Sequence, residues 1–180
     1  MDVLRLPVEK WKEYRDLRLR ALKEDPEAFS SAYSASVDQP EAFWKGRLAD
    51  AARGERAWPL LAKQDNKLVG MIGACIEEDS TDTATVVSVY VPREERGKGI
   101  SARLMEEMLR VLSDVPALRK ARLQVDVTQL AAIRVYRRFG FLEIGLEPST
   151  TGAGEAVDQL VMERDLPVRA PKAHGVSAGK

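Results

Sequence analysis

Ile100, Leu104, Met108 and Leu112 recur at every fourth position, with Arg103, Glu107 and Arg110 on other faces, and this spacing predicts an amphipathic helix from Ser101 to Ser113. Before it, Ala84 to Val91 is apolar on both faces and rich in β-branched residues, the pattern of a central strand covered from both sides. After it, Leu123, Val125 and Val127 alternate with Arg122, Gln124 and Asp126, as in a strand with one buried face. Thr128 is placed to cap a helix running to about Phe139, which Gly140 ends.

The flanks follow the same logic. Val3 to Leu6 reads as a short strand, and Trp11, Tyr14, Leu17 and Leu22 give Val8 to Lys23 helical spacing that Asp25-Pro26 closes. Pro40 opens a second helical segment with Phe43, Trp44 and Leu48 on one side. Trp58 to Ala62 and Leu68 to Ile76 read as a hairpin around Gln64-Asp65-Asn66-Lys67, whose Asp and Asn tolerate turn geometry. Phe141 to Gly145 and Val157 to Arg164 form a last strand pair around a Gly- and Ser/Thr-rich loop. The order of elements predicts an α/β (α+β) class with a mixed sheet flanked by helices. Residues 1–166 form one domain on this reading, and the Pro-, Ala- and Gly-rich stretch 167–180 is expected to be a disordered tail.

Composition narrows the class of partner. The chain has 180 residues, 44% of them hydrophobic, enough for one sizeable core. Lys plus Arg (28) balances Asp plus Glu (28), so no global field favours nucleic acid or an anionic membrane. Met1 to Trp11 lacks a charged-then-apolar leader layout, no apolar run approaches the ~20 residues of a membrane span, and the expected location is cytoplasmic. A single cysteine, Cys75, excludes an internal disulfide and a cysteine zinc cluster, and no metal site is expected.

The chemistry concentrates where the central strand meets the amphipathic helix. Val87-Ser88-Val89-Tyr90-Val91 leads through Pro92-Arg93-Glu94-Glu95 into Arg96-Gly97-Lys98-Gly99-Ile100-Ser101. A glycine-rich turn at a helix N-terminus exposes consecutive amides, adds the positive end of the helix dipole, and lets a phosphate approach the main chain. The alternative is a plain tight turn with solvated charges. A P-loop is excluded, because Gly97-Lys98 is followed by Gly99 and lacks the upstream glycine. Gly97 to Ala102 does match the dinucleotide pattern G-x-G-x-x-A, but its first glycine stands too far from the strand and no acid lies about 20 residues on.

The run from Val89 to Leu104 resembles the acetyl-CoA-binding motif of GNAT acetyltransferases, Q/R-x-x-G-x-G/A, with Arg96 first, Gly99 as its glycine and Ser101 in place of the final Gly/Ala. Ala132 to Phe141 resembles the family's later A-x-x-x-Y-x-x-x-G-F segment. The resemblance implies the GNAT fold, a mixed, mostly antiparallel twisted sheet with a V-shaped opening between two central parallel strands, ending near Val91 and Val127. It implies acetyl-CoA as co-substrate, held by Val89, Tyr90 and Val91, by Arg96, Gly97, Lys98, Gly99, Ile100, Ser101 and Ala102, and by Gln129, Ala132 and Tyr136. Gln129 stands where many members have asparagine. Tyr136 aligns with the tyrosine that protonates the leaving thiolate.

Thr85 stands where many relatives carry a glutamate base, and Glu77, Glu78 and Asp79 are the substitutes, of which Glu78 is our nominee. The expected reaction is acetylation of a primary amine on a small molecule, such as an aminoglycoside-like antibiotic, a polyamine or an amino-acid derivative. Acetylation of a protein N-terminus or lysine, and a non-catalytic acetyl-CoA-binding module, are the alternatives. Pairing of two copies along a sheet edge is a further expectation from the family. Cys75, in an apolar strand without a nearby histidine, reads as packing, and Phe29, Tyr33 and Trp44 read as core or acceptor-facing; His174 lies in the expected tail.

Overall fold

The structure is a computed structural model and describes residues 1–54 and 56–167. Seven strands, β1 (Asp2–Leu4), β2 (Leu60–Gln64), β3 (Lys67–Ile76), β4 (Thr83–Tyr90), β5 (Lys120–Asp126), β6 (Leu142–Thr150) and β7 (Ala156–Asp165), form one sheet in the order β1-β2-β3-β4-β5-β7-β6. All neighbours run antiparallel except β4 and β5. The helices are α1 (Trp11–Glu24), α2 (Tyr33–Val37), α3 (Glu41–Arg53), α4 (Ile100–Ser113) and α5 (Leu130–Arg138).

Two apolar cores lie on opposite faces of this sheet. On one face α4 and α5 bury Leu104, Met108, Ile133 and Tyr136 against Ala84, Val86, Leu123 and Val125. On the other, α1 and α3 bury Trp11, Leu17, Leu22, Trp44 and Leu48 against Leu61, Met71 and Tyr90. The α1 stripe therefore reads 11, 14, 17, 18, 21, 22, and Arg18 sits inside it. The β2–β3 turn takes Asp65 and Asn66 into positive φ (47° and 64°), the conformation of a type I′ hairpin.

Three expectations change in detail. Gln129, without a side-chain bond, precedes the first turn of α5, because Asp126 Oδ1 already takes both the amide and the hydroxyl of Thr128 at 2.7 Å. The Ser/Thr run 149–150 belongs to β6, paired with Val157 and Ala156, which leaves a shorter loop. Phe43 is exposed, edge-on to Trp44, and does not share its buried side. Edge strand β6 leaves Leu142, Ile144 and Leu146 exposed. Among the described residues no helix is long and apolar enough to cross a membrane. The expected tail from 168 on, with His174, lies outside the described residues.

Candidate active site

The central parallel pair is joined only at its start. Thr83 to Val86 pair with Lys120 to Leu123, and the register stops there, so the last residues of β4 and β5 diverge and leave an opening between them. On its other edge β4 pairs with β3 through an irregularity, Gly73 opposite Val87 and then Met71 opposite Tyr90, which inserts one extra residue into β4. Ser88 takes φ 58° there. The bulge changes the phase of the strand. Before it Ala84 and Val86 face the α4 core; after it Val89 and Val91 do, and Tyr90 points to the α1 side. Backbone groups of β4 past Val86 that face β5 have no ladder partner on that strand.

The turn after β4 has the conformation the glycines predict. Gly97 and Gly99 both have φ 78°, a β-carbon built on either meets nothing within 4 Å, and α4 starts at Ile100 directly after Gly99. First-turn amides of a helix have no intrahelical partner, so Ile100, Ser101 and Ala102 present N–H groups to the same space. Ile100 is buried in the core and Tyr90 packs on the opposite face, so both can serve a cofactor only through the backbone. The cations of the turn are engaged within the protein. Arg96 Nε donates to Val91 O at 3.0 Å and its Nη2 pairs with Asp25, Lys98 pairs with Glu95 at 2.7 Å, and Arg20 reaches Glu94 at 2.8 Å. A phosphate in this turn is therefore met by main-chain amides and the helix dipole. Tyr90 Oη donates to Glu24 at 2.7 Å; that bond first, then Arg20, holds the Glu24 carboxyl below the usual carboxylate range, and burial with the same bond raises the phenol.

Tyr136 sits under the opening on the α5 side, 8% exposed and edge-on to Phe141. Burial pushes its phenol up to about 12, so the group stays protonated through neutral pH, and its hydroxyl makes no hydrogen bond to another described residue. Ala132 packs partly buried on the same face, and Gln129 is half-buried with its amide donating to Asp126 O at 2.9 Å.

The α1 face of the opening is built from distant segments. A cavity of about 240 Å³ lies over β2 and β3, with Tyr14, Arg47, Asp50, Gly73, Cys75 and Ser88 among its lining residues. Arg18, 6% exposed, donates from Nη1 to Ser88 Oγ at 3.3 Å and lies under the Phe29 ring, 4.7 Å from its centroid. Burial pulls its guanidinium down to about 10, which leaves it charged at neutral pH. The loop after α1 then meets the β6–β7 hairpin, where Gly152 N donates to Phe29 O and Thr151 is buried. A β-carbon on Gly152 would overlap the Ser31 carbonyl oxygen, so only glycine permits this approach.

Of the acidic trio, Glu77 is the one tied to the central strand: Thr85 Oγ1 donates to Glu77 Oε1 at 2.9 Å. All three are exposed beyond the end of β3, so this hydrogen bond is what distinguishes Glu77. Cys75 pairs with Thr85, and burial, then the Glu77 charge, push its thiol up, the reverse of what a thiolate nucleophile needs. Arg18, Ser88, Thr85's link to Glu77, and Gly152 were not singled out by sequence reasoning. Arg18 alone had a legible signal, its place on the 11, 14, 18, 22 face of α1.

A profile of the acetyltransferase (GNAT) family matches residues 13–141, and the chain belongs to that family. It is accordingly an N-acetyltransferase with acetyl-CoA as co-substrate. Solved structures agree on the fold. An acetyltransferase of the GNAT family from Streptococcus pneumoniae superposes with TM-score 0.81 at 15% identity, covering 92% of this chain and 99% of that one. The yncA protein of Salmonella typhimurium, solved with acetyl-CoA, gives TM-score 0.77 at 16% identity over 96% and 98% of the two chains. A ribosomal-protein-alanine N-acetyltransferase from Brucella melitensis gives 0.74 at 18% identity over 92% and 100%.

Proposed function

We propose that the chain acetylates the primary amine of a small molecule. The observation that carries this reading is the backbone contact of Gly152 with Phe29, which brings the β6–β7 hairpin against the loop after α1 and, on this reading, bounds the acceptor side there. An internal lysine, which carries chain on both sides, needs a groove open at both ends, whereas a free amino terminus can enter from one side and is separated from a small amine only by the test below.

Acetyl-CoA supplies the activated acetyl group when bound. The residues present fit it: amides at Val89 and Val91 line the divergence of β4 and β5, and amides from Arg96 to Ala102, freed of side-chain obstruction at Gly97 and Gly99, suit its phosphates. Tyr136 holds a proton on a phenol with no competing partner, which suits it to protonate a leaving thiolate. Glu77, held by Thr85 on the acceptor face, accepts the amine proton directly or through water, and takes the role first assigned to Glu78. Preorganised donors on a rigid strand are the main source of rate in acyl transfer.

The test is thiol release from acetyl-CoA with a panel of small amines beside peptides carrying a free amino terminus. Turnover confined to small amines supports the reading. Turnover confined to peptides replaces it with the activity that the Brucella neighbour's name describes.

A further inference from the structure

The cavity over β2 and β3 is floored by alternate residues of two paired strands: Ala57, Pro59 and Leu61 on one, Met71, Gly73 and Cys75 on the other. Ser88, the bulged residue of β4, completes the floor. Four of these residues, Ala57, Gly73, Cys75 and Ser88, are small, which leaves space beneath Tyr14 of α1 and Arg47 and Asp50 of α3. The two ionic side chains are exposed and engaged, Asp50 with Arg53 and Arg47 over the Phe43 ring at 5.6 Å from its centroid. The rest of the lining carries no ionic group, so a charge inside finds nothing there to pair with. The floor also borders the chemistry on two sides. Ser88 precedes Val89, whose amide lines the parting of β4 and β5. Cys75 pairs with Thr85, which holds Glu77, and the Glu77 charge helps to raise the Cys75 thiol. An amine placed between the Val89 amide and Glu77 thus has this cavity beside it.

About 150 Å³ is enough for one benzene ring, and drug-sized ligands take about 300–1,000 Å³. At about 240 Å³ the cavity holds one ring, or a branched alkyl group of similar size. We propose that the acceptor is a primary amine on a compact apolar substituent, branched alkyl or arylalkyl with a single ring, seated in this cavity, and that Gly73 sets how deep the substituent goes. This rests on the small-amine reading and narrows it. A polyamine or an aminoglycoside brings further cations into a space whose one carboxylate, Asp50, is already engaged.

The experiment measures kcat/KM with acetyl-CoA for ethylamine, isopentylamine, phenethylamine and naphthylethylamine, for putrescine beside pentylamine, and for a peptide with a free amino terminus. Each buried methylene contributes about fourfold, equivalent to about 0.8 kcal/mol. Isopentylamine, of nearly the same basicity as ethylamine, should therefore exceed it by about tenfold or more, chiefly through KM. Naphthylethylamine, with its second ring, should fall below phenethylamine. Pentylamine should exceed putrescine, although the diamine has two amines to offer. In Gly73→Ala the ratio of isopentylamine to ethylamine should fall several-fold with acetyl-CoA affinity unchanged. The added β-carbon meets Val87 and Ser88 at 3.4–3.9 Å, ordinary contact, so it takes up cavity without forcing the strands apart. Ala57→Leu fills the cavity from the other strand and carries the test if Gly73→Ala does not fold. Cys75, the chain's one cysteine, gives a readout that needs no turnover: phenethylamine should slow its alkylation by iodoacetamide several-fold, and ethylamine should not. Equal use of ethylamine and isopentylamine, a second ring tolerated, putrescine used as well as pentylamine, a ratio unmoved by both variants, or alkylation indifferent to phenethylamine overturns this inference and leaves small-amine acetylation standing. Turnover of the peptide alone, or of nothing in the panel, overturns both.

Discussion

The two faces of the β4–β5 opening are assembled in different ways. The donor face is local: a strand end, a glycine turn and one helix N-terminus, all within residues 87–102, with Tyr136 brought in from α5. The acceptor face is a convergence of side chains from α1, α3, β3, β4 and the β6–β7 hairpin, held by contacts such as Arg18 to Ser88 and Gly152 to Phe29, between residues 70 and 123 positions apart. The local face works through main-chain amides, whose positions depend on backbone conformation and little on side-chain identity. The convergent face works through side chains and can be rebuilt one residue at a time. A single cofactor can thus be kept while acceptors vary.

That contrast predicts which changes separate donor from acceptor behaviour. The largest effects should fall on chemistry with both binding steps intact. Tyr136→Phe should lower kcat about a hundredfold or more, the usual worth of a general acid, with acetyl-CoA affinity and melting temperature nearly unchanged, since the hydroxyl has no partner among the described residues. Equal losses in kcat and cofactor affinity would move Tyr136 to a packing role. Glu77→Gln should cost a similar factor, whereas Glu78→Gln should change the rate by less than about threefold; on the scale of about 1.4 kcal/mol per tenfold the two are easily told apart. The reverse ranking would restore Glu78 as the base.

Gly99→Val comes next, and acts on the donor face alone. A β-carbon there meets none of the described residues within 4 Å, so the penalty is a β-branched residue held at φ 78° and the loss of open space in front of the helix amides. Acetyl-CoA binding by calorimetry should weaken about tenfold or more while the fold persists. Undiminished affinity would place the phosphates elsewhere.

This division also accounts for what the sequence could disclose. Gly97, Gly99 and the four-residue repeat from Ile100 to Leu112 lie in one contiguous stretch, and their backbone geometry follows from residue type, so the donor face was legible. Tyr136 was legible only through its resemblance to a family segment; nothing in its helical spacing separates it from a core aromatic. The acceptor face depends on which distant segments meet. No local rule tells that Ser88 is the bulged residue, that Gly152 must be glycine because Ser31 passes beneath it, or that Thr85 turns to Glu77 and not to Glu78. Arg18 was hidden by the assumption that a charged residue on an amphipathic helix faces water.

Gly152→Val is the matching change on the acceptor face. Any β-carbon at 152 must push the hairpin away from the loop after α1, so the closed end opens. Small-amine KM should rise several-fold, acetyl-CoA affinity should stay put, and access for peptides should improve. A variant indistinguishable from the parent in acceptor preference would mean that this contact does not bound the acceptor.

The smallest effect concerns Tyr136 and appears only in alkali. Burial raises its phenol from 10.0 to about 12, so the folded chain binds this proton more tightly than the unfolded chain does. The contribution is fully present below pH 10 and is lost as pH rises toward 12, because there the unfolded phenol ionises first and the folded one must follow. Denaturant titrations at increasing pH should show wild type losing stability over that interval relative to Tyr136→Phe, with the two curves parallel at neutral pH. The alkaline limb of kcat should not begin near 10. If the difference spectrum between the two proteins showed tyrosinate forming near the ordinary value, the hydroxyl would be in water, and the donor face would lack the enclosed proton that its role as acid requires.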